Sequence, residues 1–208
     1  MLIDMMRRAF ARHLVLHGLA VKKHGTAQDV AALVGLDPAL AQALLAEAAA
    51  TARAQESDGK YVLTPLARVA LEGDYSRYWS ELRESEAFLA AYEAFERINV
   101  QLKATITDWQ TTELGGTRVA NDHSDQAYDL KIIGRLGALH ERADRILAQL
   151  ETVQPRFAYY RRNLLAALER AEDGDIAWVS AAKLPSYHTL WFELHEDLLR
   201  LLGRQRVE

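Results

Sequence analysis

Residues 26–64 read TAQDVAALVGLDPALAQALLAEAAATARAQESDGKYVLT, and this stretch decides the fold of the first part of the chain. Thr26 precedes an apolar-periodic run and is a residue type that caps helices, because its side-chain oxygen accepts from N–H groups of the first turn. Gly35 then marks a tight turn. Asp37 followed by Pro38 is typical of a new helix start, since the first position has no need of its N–H group. The pattern predicts two helices joined by a short turn.

A change of period follows the second of these helices. The short runs 53–57 and 60–64 flank Asp58-Gly59. An Asp-Gly pair between two extended runs predicts a β-hairpin, because a type I′ turn needs positive φ at both central residues.

Helices are also predicted on both sides of this stretch. Apolar residues recur at helical spacing over 3–21, which indicates an amphipathic helix. After the hairpin, Pro65 opens a short helix over 66–71 that we expect to end at Gly73.

The order helix, helix, turn, helix, two-stranded ribbon predicts a winged helix-turn-helix domain. The segment from Thr26 to Leu71 resembles the winged-helix domains of MarR- and PadR-type bacterial regulators, and also the N-terminal dimerisation domain of small-molecule O-methyltransferases. The first resemblance implies a DNA-binding regulator. The second would require a glycine-rich αβ cofactor domain after the winged helix, and this chain has helical patterns there instead.

In a winged helix the third helix enters the major groove and the wing lies over the DNA backbone. Only one exposed side chain of that helix, Gln42, can make a bidentate contact to a base, and that base would be adenine. The basic residues around the wing are candidates for phosphate contacts. The predicted DNA-binding residues are Gln42, Arg53, Lys60 and Arg68.

The second part of the chain has the periodicity of a helical bundle. We expect one long helix from Tyr75 to about Thr111, followed by a loop over 112–127 that Gly115-Gly116 interrupts. Further helices are predicted over 128–150, 155–171 and 187–202, with a strand or buried loop near 176–179.

These patterns predict a mainly α protein with two domains. Residues 1–75 form the winged helix-turn-helix domain, and residues 76–208 form an α-helical domain for dimerisation and ligand binding. The net charge of −4 argues against a chain that coats nucleic acid without selectivity, and the acidic excess lies in the second part.

Composition excludes several classes of function. The absence of cysteine rules out disulfides, thiolate metal sites and cysteine nucleophiles. The longest apolar runs are far shorter than a membrane span, and no secretion signal is recognisable, so we expect a soluble, cytoplasmic protein without a membrane partner. Because no nucleotide-binding, phosphate-binding or hydrolase signature occurs, we expect neither an enzyme nor a cofactor.

Three polar clusters in the second part suggest a small-molecule pocket with aromatic walls. They resemble segments of actinobacterial winged-helix regulators, which implies no particular ligand. The predicted ligand-binding residues are Asp108, Trp109, His123, His188 and Trp191. A metal site built from His123, His188 and His195 is conceivable, but each histidine is more simply a hydrogen-bonded structural residue, so we expect no metal.

The resulting hypothesis is a homodimeric, ligand-responsive regulator of transcription that binds double-stranded DNA and a small-molecule effector. The long helix and the last helix would form the subunit interface. One alternative is an accessory or scaffold protein that uses the winged helix only for protein contacts, which the neutral third helix favours. Another is a metal-dependent or acid–base enzyme that uses His123, His188 and Glu193.

Overall fold

The computed structural model of the chain is mainly helical and describes the backbone of residues 2–205, with side chains from residue 3. The expected domain spans also include Met1 and residues 206–208, which lie outside the described residues. The elements follow in the order α1 (Leu2–Lys22), α2 (Ala27–Val34), α3 (Pro38–Ala50), β1 (Ala54–Ser57), β2 (Lys60–Leu63), α4 (Pro65–Glu84), α5 (Glu86–Gln110), β3 (Thr111–Leu114), β4 (Thr117–Ala120), α6 (Gln126–Val153), α7 (Ala158–Glu172), α8 (Ala177–Ser180) and α9 (Tyr187–Leu202).

The chain forms two compact units. The terminal unit contains the residues up to Ser85 together with those from Glu193 onward, and the middle unit is Glu86–Phe192. The sequence-based domain boundary between residues 75 and 76 lies inside α4, which continues through it.

Local sequence explains how the first three helices begin and end. Thr26 accepts a hydrogen bond from Asp29 N and the Asp29 side chain accepts from Thr26 N, so a complete capping box starts α2. Gly35 ends α2 with φ 71°, a left-handed conformation that glycine adopts without steric cost. Asp37 caps α3, and the axes of α2 and α3 differ in direction by 117°.

The first hairpin has the predicted turn. Asp58 and Gly59 both have positive φ, 52° and 74°. The strands pair in register from Ala54 opposite Leu63 to Ser57 opposite Lys60. Gly25 and Tyr61 exchange two backbone hydrogen bonds of 3.2 and 2.8 Å, so the linker between α1 and α2 is attached to β2.

The prediction of one long helix from Tyr75 to Thr111 is wrong. The helix starts earlier than predicted, and a break divides it into two. Helix α4 begins at Pro65, runs through Gly73 and ends at Glu84. Gly73 does not end it, because an isolated glycine costs only about 1 kcal/mol inside a helix and packing can offset that. Ser85 is extended, with ψ 111°, and separates α4 from α5.

The expected loop over 112–127 is largely a second hairpin. Thr111 pairs with Ala120 and Leu114 with Thr117, and Gly115 and Gly116 form the turn with φ 59° and 80°. The segment near 176–179, expected to be a strand or a loop, contains the short helix α8.

Each unit has its own apolar core. In the terminal unit the buried apolar side chains come from α1 to α4, the first hairpin and the second half of α9, and in the middle unit Phe88, Phe95, Phe157, Tyr160 and Tyr187 are almost without exposure. Among the described helices, none is by itself long and apolar enough to cross a membrane, and only the bent pair α2 and α3 reaches that length and composition together.

Candidate functional site

The outer surface of α3 is almost uncharged. Pro38, Ala39, Ala43 and Ala46 are exposed. Leu40, in the first turn of the same helix, is 39% exposed. A surface of this kind offers apolar contacts and few hydrogen bonds.

Gln42 lies on the same surface and is partly engaged. Its Nε2 donates a hydrogen bond of 2.9 Å to the hydroxyl of Tyr61 on β2. An amide group has two hydrogens on this nitrogen, so one donor and the carbonyl oxygen are not used by that contact. The bond holds Gln42 toward the hairpin.

Two arginines of α1 share one acid at the other end of α3. Arg8 and Arg12 both form ion pairs with Glu47. The hydrogen bond from Arg8, together with the charge of Arg12, lowers the pKa of Glu47. Both arginines are therefore already paired with an acid.

The three predicted DNA-binding cations remain exposed. Lys60 follows the hairpin turn directly, and Arg53 lies at the base of the same hairpin, where its carbonyl accepts from Thr64 N at 3.1 Å. Arg68 is in the first turns of α4, with its N–H donating to the carbonyl of Thr64. Within the described part of the chain none of the three forms an ion pair.

A buried polar network in the terminal unit was not predicted. The ring of His17 has Nε2 at 2.9 Å from Asp197 Oδ1 and Nδ1 at 2.8 Å from the Tyr75 hydroxyl. His17 and Asp197 have no exposed surface, and Tyr75 has 1%. Because a carboxylate can only accept, Nε2 of a neutral ring carries the hydrogen and Nδ1 accepts from Tyr75.

A signal for this network is present in the sequence. His13 and His17 stand four residues apart within the apolar run of α1, so they share a face that is buried. Trp79 Nε1 donates to His13 Nε2 at 2.8 Å. The partner Asp197 is 180 residues away from His17, and no local pattern indicates such a distant contact.

Further polar contacts attach the second half of α9 to the rest of the terminal unit. Lys22 binds both carboxylate oxygens of Glu193, at 3.2 and 3.1 Å. Burial raises the pKa of Glu193, and Lys22 offsets part of that effect. Arg83 donates to the carbonyl of Leu201 at 2.7 Å, and Arg200 pairs with Glu72 at 2.7 Å.

In the middle unit, Trp109 and His123 belong to a cluster that closes the second hairpin onto α6. Asn121 Nδ2 donates to the carbonyl of Trp109 and to Asp129 Oδ1, both at 3.0 Å. His123 Nδ1 lies 3.0 Å from Asp129 Oδ2, and the rings of Trp109 and His123 are 4.5 Å apart. These contacts account for both predicted ligand residues as parts of the fold.

Trp191 is a core residue. Its Nε1 donates to Asn99 Oδ1 at 3.0 Å, and its ring is stacked on Phe95 at a centroid distance of 4.7 Å. His188, one turn earlier on α9, is half-buried.

Asp108 lies in a groove of about 630 Å³ between the second hairpin and α6. It pairs with Arg135 at 2.8 Å and approaches Arg118 at 3.7 Å. Of the five predicted ligand residues, Asp108 alone is among those that line this groove, which are Asp108, Thr111, Thr112, Glu113, Gly116, Arg118, Tyr128, Lys131, Ile132 and Arg135.

The residues of the enzyme hypothesis have structural partners. His123 contacts Asp129, and Glu193 is neutralised by Lys22. Over residues 3–205, no three His, Asp or Glu side chains are grouped so that they could hold a metal ion.

Comparison of the chain with family models, with curated proteins and with solved structures finds no match.

Proposed function

We propose that the protein is a regulator of transcription that binds double-stranded DNA through a winged helix-turn-helix in its terminal unit. The observation that carries the proposal is the 117° change of direction between α2 and α3, followed directly by an antiparallel hairpin. Helix-turn-helix motifs cross at about 90–120°, which lets the second helix lie in the major groove. A MarR- or PadR-like arrangement fits this order of elements.

The charges favour a mode of binding in which exposed cations at and beside the hairpin supply most of the affinity. Lys60, Arg53 and Arg68 would contact phosphates, because they are exposed and none of them forms an ion pair within the described part of the chain. Helix α3 would contribute little base readout beyond Gln42. A protein of this kind binds with strong salt dependence and modest sequence selectivity.

We further propose that the protein acts as a homodimer in the cytoplasm and responds to a small molecule. Half-sites on DNA lie about 34 Å apart, so a small rotation of two winged helices would alter their fit. The groove at Asp108 is the place in the middle unit that favours an effector.

The test is DNA binding followed by fluorescence anisotropy, with a duplex from the protein's own upstream region and salt varied from about 50 to 200 mM. The slope of log K against log salt is negative. We expect its magnitude to decrease by about one in Lys60→Gln, since each phosphate contact contributes about 0.9 to that magnitude. Lys103→Gln, an exposed lysine of α5, is the matched control and should behave as the wild type. Equal slopes in all three proteins would remove the hairpin from the proposal.

A second candidate function is supported by the surface of α3. Exposed Leu40 and its neighbouring alanines suit contact with another protein chain better than contact with phosphates. Leu40→Lys separates the two candidates by which of two measurements it changes. The added cation should strengthen DNA binding in the first case and, in the second, weaken self-association measured by analytical ultracentrifugation.

A further inference from the structure

The groove of the middle unit has two well-defined walls. Tyr128, Lys131 and Arg135 recur at three- and four-residue spacing, so they share one face of α6. The other wall is the second hairpin. Tyr128 joins the two, because its hydroxyl lies 2.8 Å from the carbonyl of Asp108 and 3.1 Å from that of Thr111. The volume of about 630 Å³ falls within the range of about 300–1,000 Å³ that small-molecule sites occupy.

The charges of this groove are unbalanced toward the positive. Its lining includes three cations, Arg118, Lys131 and Arg135, and the two acids Asp108 and Glu113. Asp108 faces two of the cations, with one oxygen 2.8 Å from Arg135 and the other 3.7 Å from Arg118. Glu113 stands opposite Arg118 in the hairpin. Lys131 forms no ion pair among the described residues.

Two of the cations are able to bind a further anion. The side chain of Arg118 is 64% exposed, and its long contact to Asp108 leaves most of the guanidinium donors unused. A guanidinium binds carboxylates and phosphates through two parallel hydrogen bonds, and an ammonium adds a point charge. Arg135, held by Asp108, would form the fixed part of the wall.

We propose that this groove binds a small organic dianion, a dicarboxylate or a phosphate monoester, through Arg118 and Lys131. Its role as the effector of DNA binding rests on the proposed function, whereas the binding itself does not. The ligand would lie along α6 under the second hairpin, with Asp108 and Arg135 setting one end of the site.

The experiment is a titration of the full chain with inorganic phosphate and, separately, with succinate, followed by ¹H–¹⁵N NMR at constant ionic strength set with sodium chloride. We expect saturable shifts confined to residues 108–135 with at least one of the two probes. Lys131→Gln should weaken binding about ten-fold or more, since a hydrogen bond to a charged group contributes about 1.5–3 kcal/mol.

Lys103→Gln removes the same charge from an exposed position of α5 and should leave the affinity unchanged. A response to phosphate alone identifies the monoester class, and a response to succinate alone identifies the dicarboxylate class. Shifts that do not saturate, that equal those caused by chloride, or that weaken equally in both variants would overturn the proposal. DNA binding is measured separately, so failure of the groove to bind phosphate or succinate is distinguishable from failure of the protein to bind DNA.

Discussion

At the scale of single residues, the buried contact of His17 with Asp197 is the most consequential polar interaction in the terminal unit. Both side chains lack any exposed surface, so neither can replace its partner with bulk water. Removal of one member of such a pair leaves the other desolvated, which costs more than the intact pair contributes. The contact joins α1 to α9 across most of the sequence.

We therefore predict that Asp197→Ala lowers the free energy of unfolding by about 1–3 kcal/mol, because the buried Nε2–H of the neutral His17 ring loses its Asp197 acceptor. Chemical denaturation at neutral pH is the measurement, with Asp175→Ala, an exposed aspartate, as the control. In the double variant with His17→Ala, the loss should be smaller than the sum of the single losses, because the two groups act as a unit. Strict additivity would contradict the contact.

The pair of Asp144 and Arg161 in the middle unit gives a pH-dependent prediction. Arg161 binds both carboxylate oxygens, at 2.7 and 3.0 Å, and this hydrogen bonding lowers the pKa of Asp144. A carboxyl whose pKa is lower in the folded than in the unfolded state stabilises the fold above its unfolded value, and that stability is lost as the pH falls through the folded value.

Asp144→Asn should thus reduce the free energy of unfolding at pH 7 by about 0.5–1 kcal/mol, a small value because both side chains are more than a third exposed. The difference from the wild type should shrink as the pH approaches 3. Urea titrations at the two pH values measure it, and a difference that stays constant or grows in acid would count against this assignment.

At the scale of elements, the sequence predicted those parts whose signals are local. The capping box at Thr26, the start of α3 at Asp37 and the Asp58-Gly59 turn all lie within a few residues of the structure they produce. The second hairpin was missed because its strands are almost entirely exposed, so no alternation of apolar and polar residues marks them. Its only signal, Gly115-Gly116, is equally typical of a loop.

The break at Ser85 and the groove at Asp108 could not be predicted from the sequence, because neither has a local sequence signal. Ser85 interrupts a run of helix-forming residues without a glycine or proline, so periodicity continues across it. The groove lining comes from the end of α5, the second hairpin and α6, and only Asp108 was singled out by its neighbours in sequence. Trp109, His123 and Trp191 have the residue types of a binding site, yet both tryptophans are buried, and the side chains of His123 and Trp191 bond to Asp129 and Asn99 within the middle unit.

The close approach of α1 and α2 gives a prediction at this scale. A Cβ atom at Gly18 would lie 2.9 Å from a methyl carbon of Val30 and 2.9 Å from one of Val34. Since valine side chains have little rotamer freedom in helices, Gly18→Ala should lower the free energy of unfolding by about 1–3 kcal/mol.

Gly73→Ala is the matched comparison in α4 of the same unit, where nothing lies within 4 Å of the added atom. That substitution should instead raise the free energy of unfolding by about 0.5–1 kcal/mol, because alanine favours helix. Thermal and urea denaturation of the two variants should give opposite signs, and equal signs would argue against the tight helix contact.

At the scale of the whole molecule, the terminal unit is assembled from two distant pieces of chain. The residues up to Ser85 supply α1 to α4, and the second half of α9 supplies Glu193, Asp197 and Arg200. Of their partners, His17 and Lys22 on α1 are buried or nearly buried, whereas Glu72 on α4 is exposed. The N-terminal piece alone is an incomplete unit.

A chain that ends at Phe192 should consequently lose the protection of amide hydrogens in α1 and α4. A chain that ends at Arg204 keeps Asp197 and Leu201, which contact α1 and α4, and is the control. Hydrogen exchange followed by NMR distinguishes the two, and full protection of α1 in the shorter chain would show that the N-terminal piece folds alone.

The discontinuity of the terminal unit also sets an order of events during synthesis. The ribosome makes α1 to α4 first, then all of Glu86–Phe192, and only afterward the segment that carries Asp197. At about 5–20 residues per second, roughly 5–20 s separate the two pieces. During that interval α1 to α4 lack the contacts that Asp197 and Glu193 make with His17 and Lys22, so a molecular chaperone that shields an incomplete core would act on these four helices.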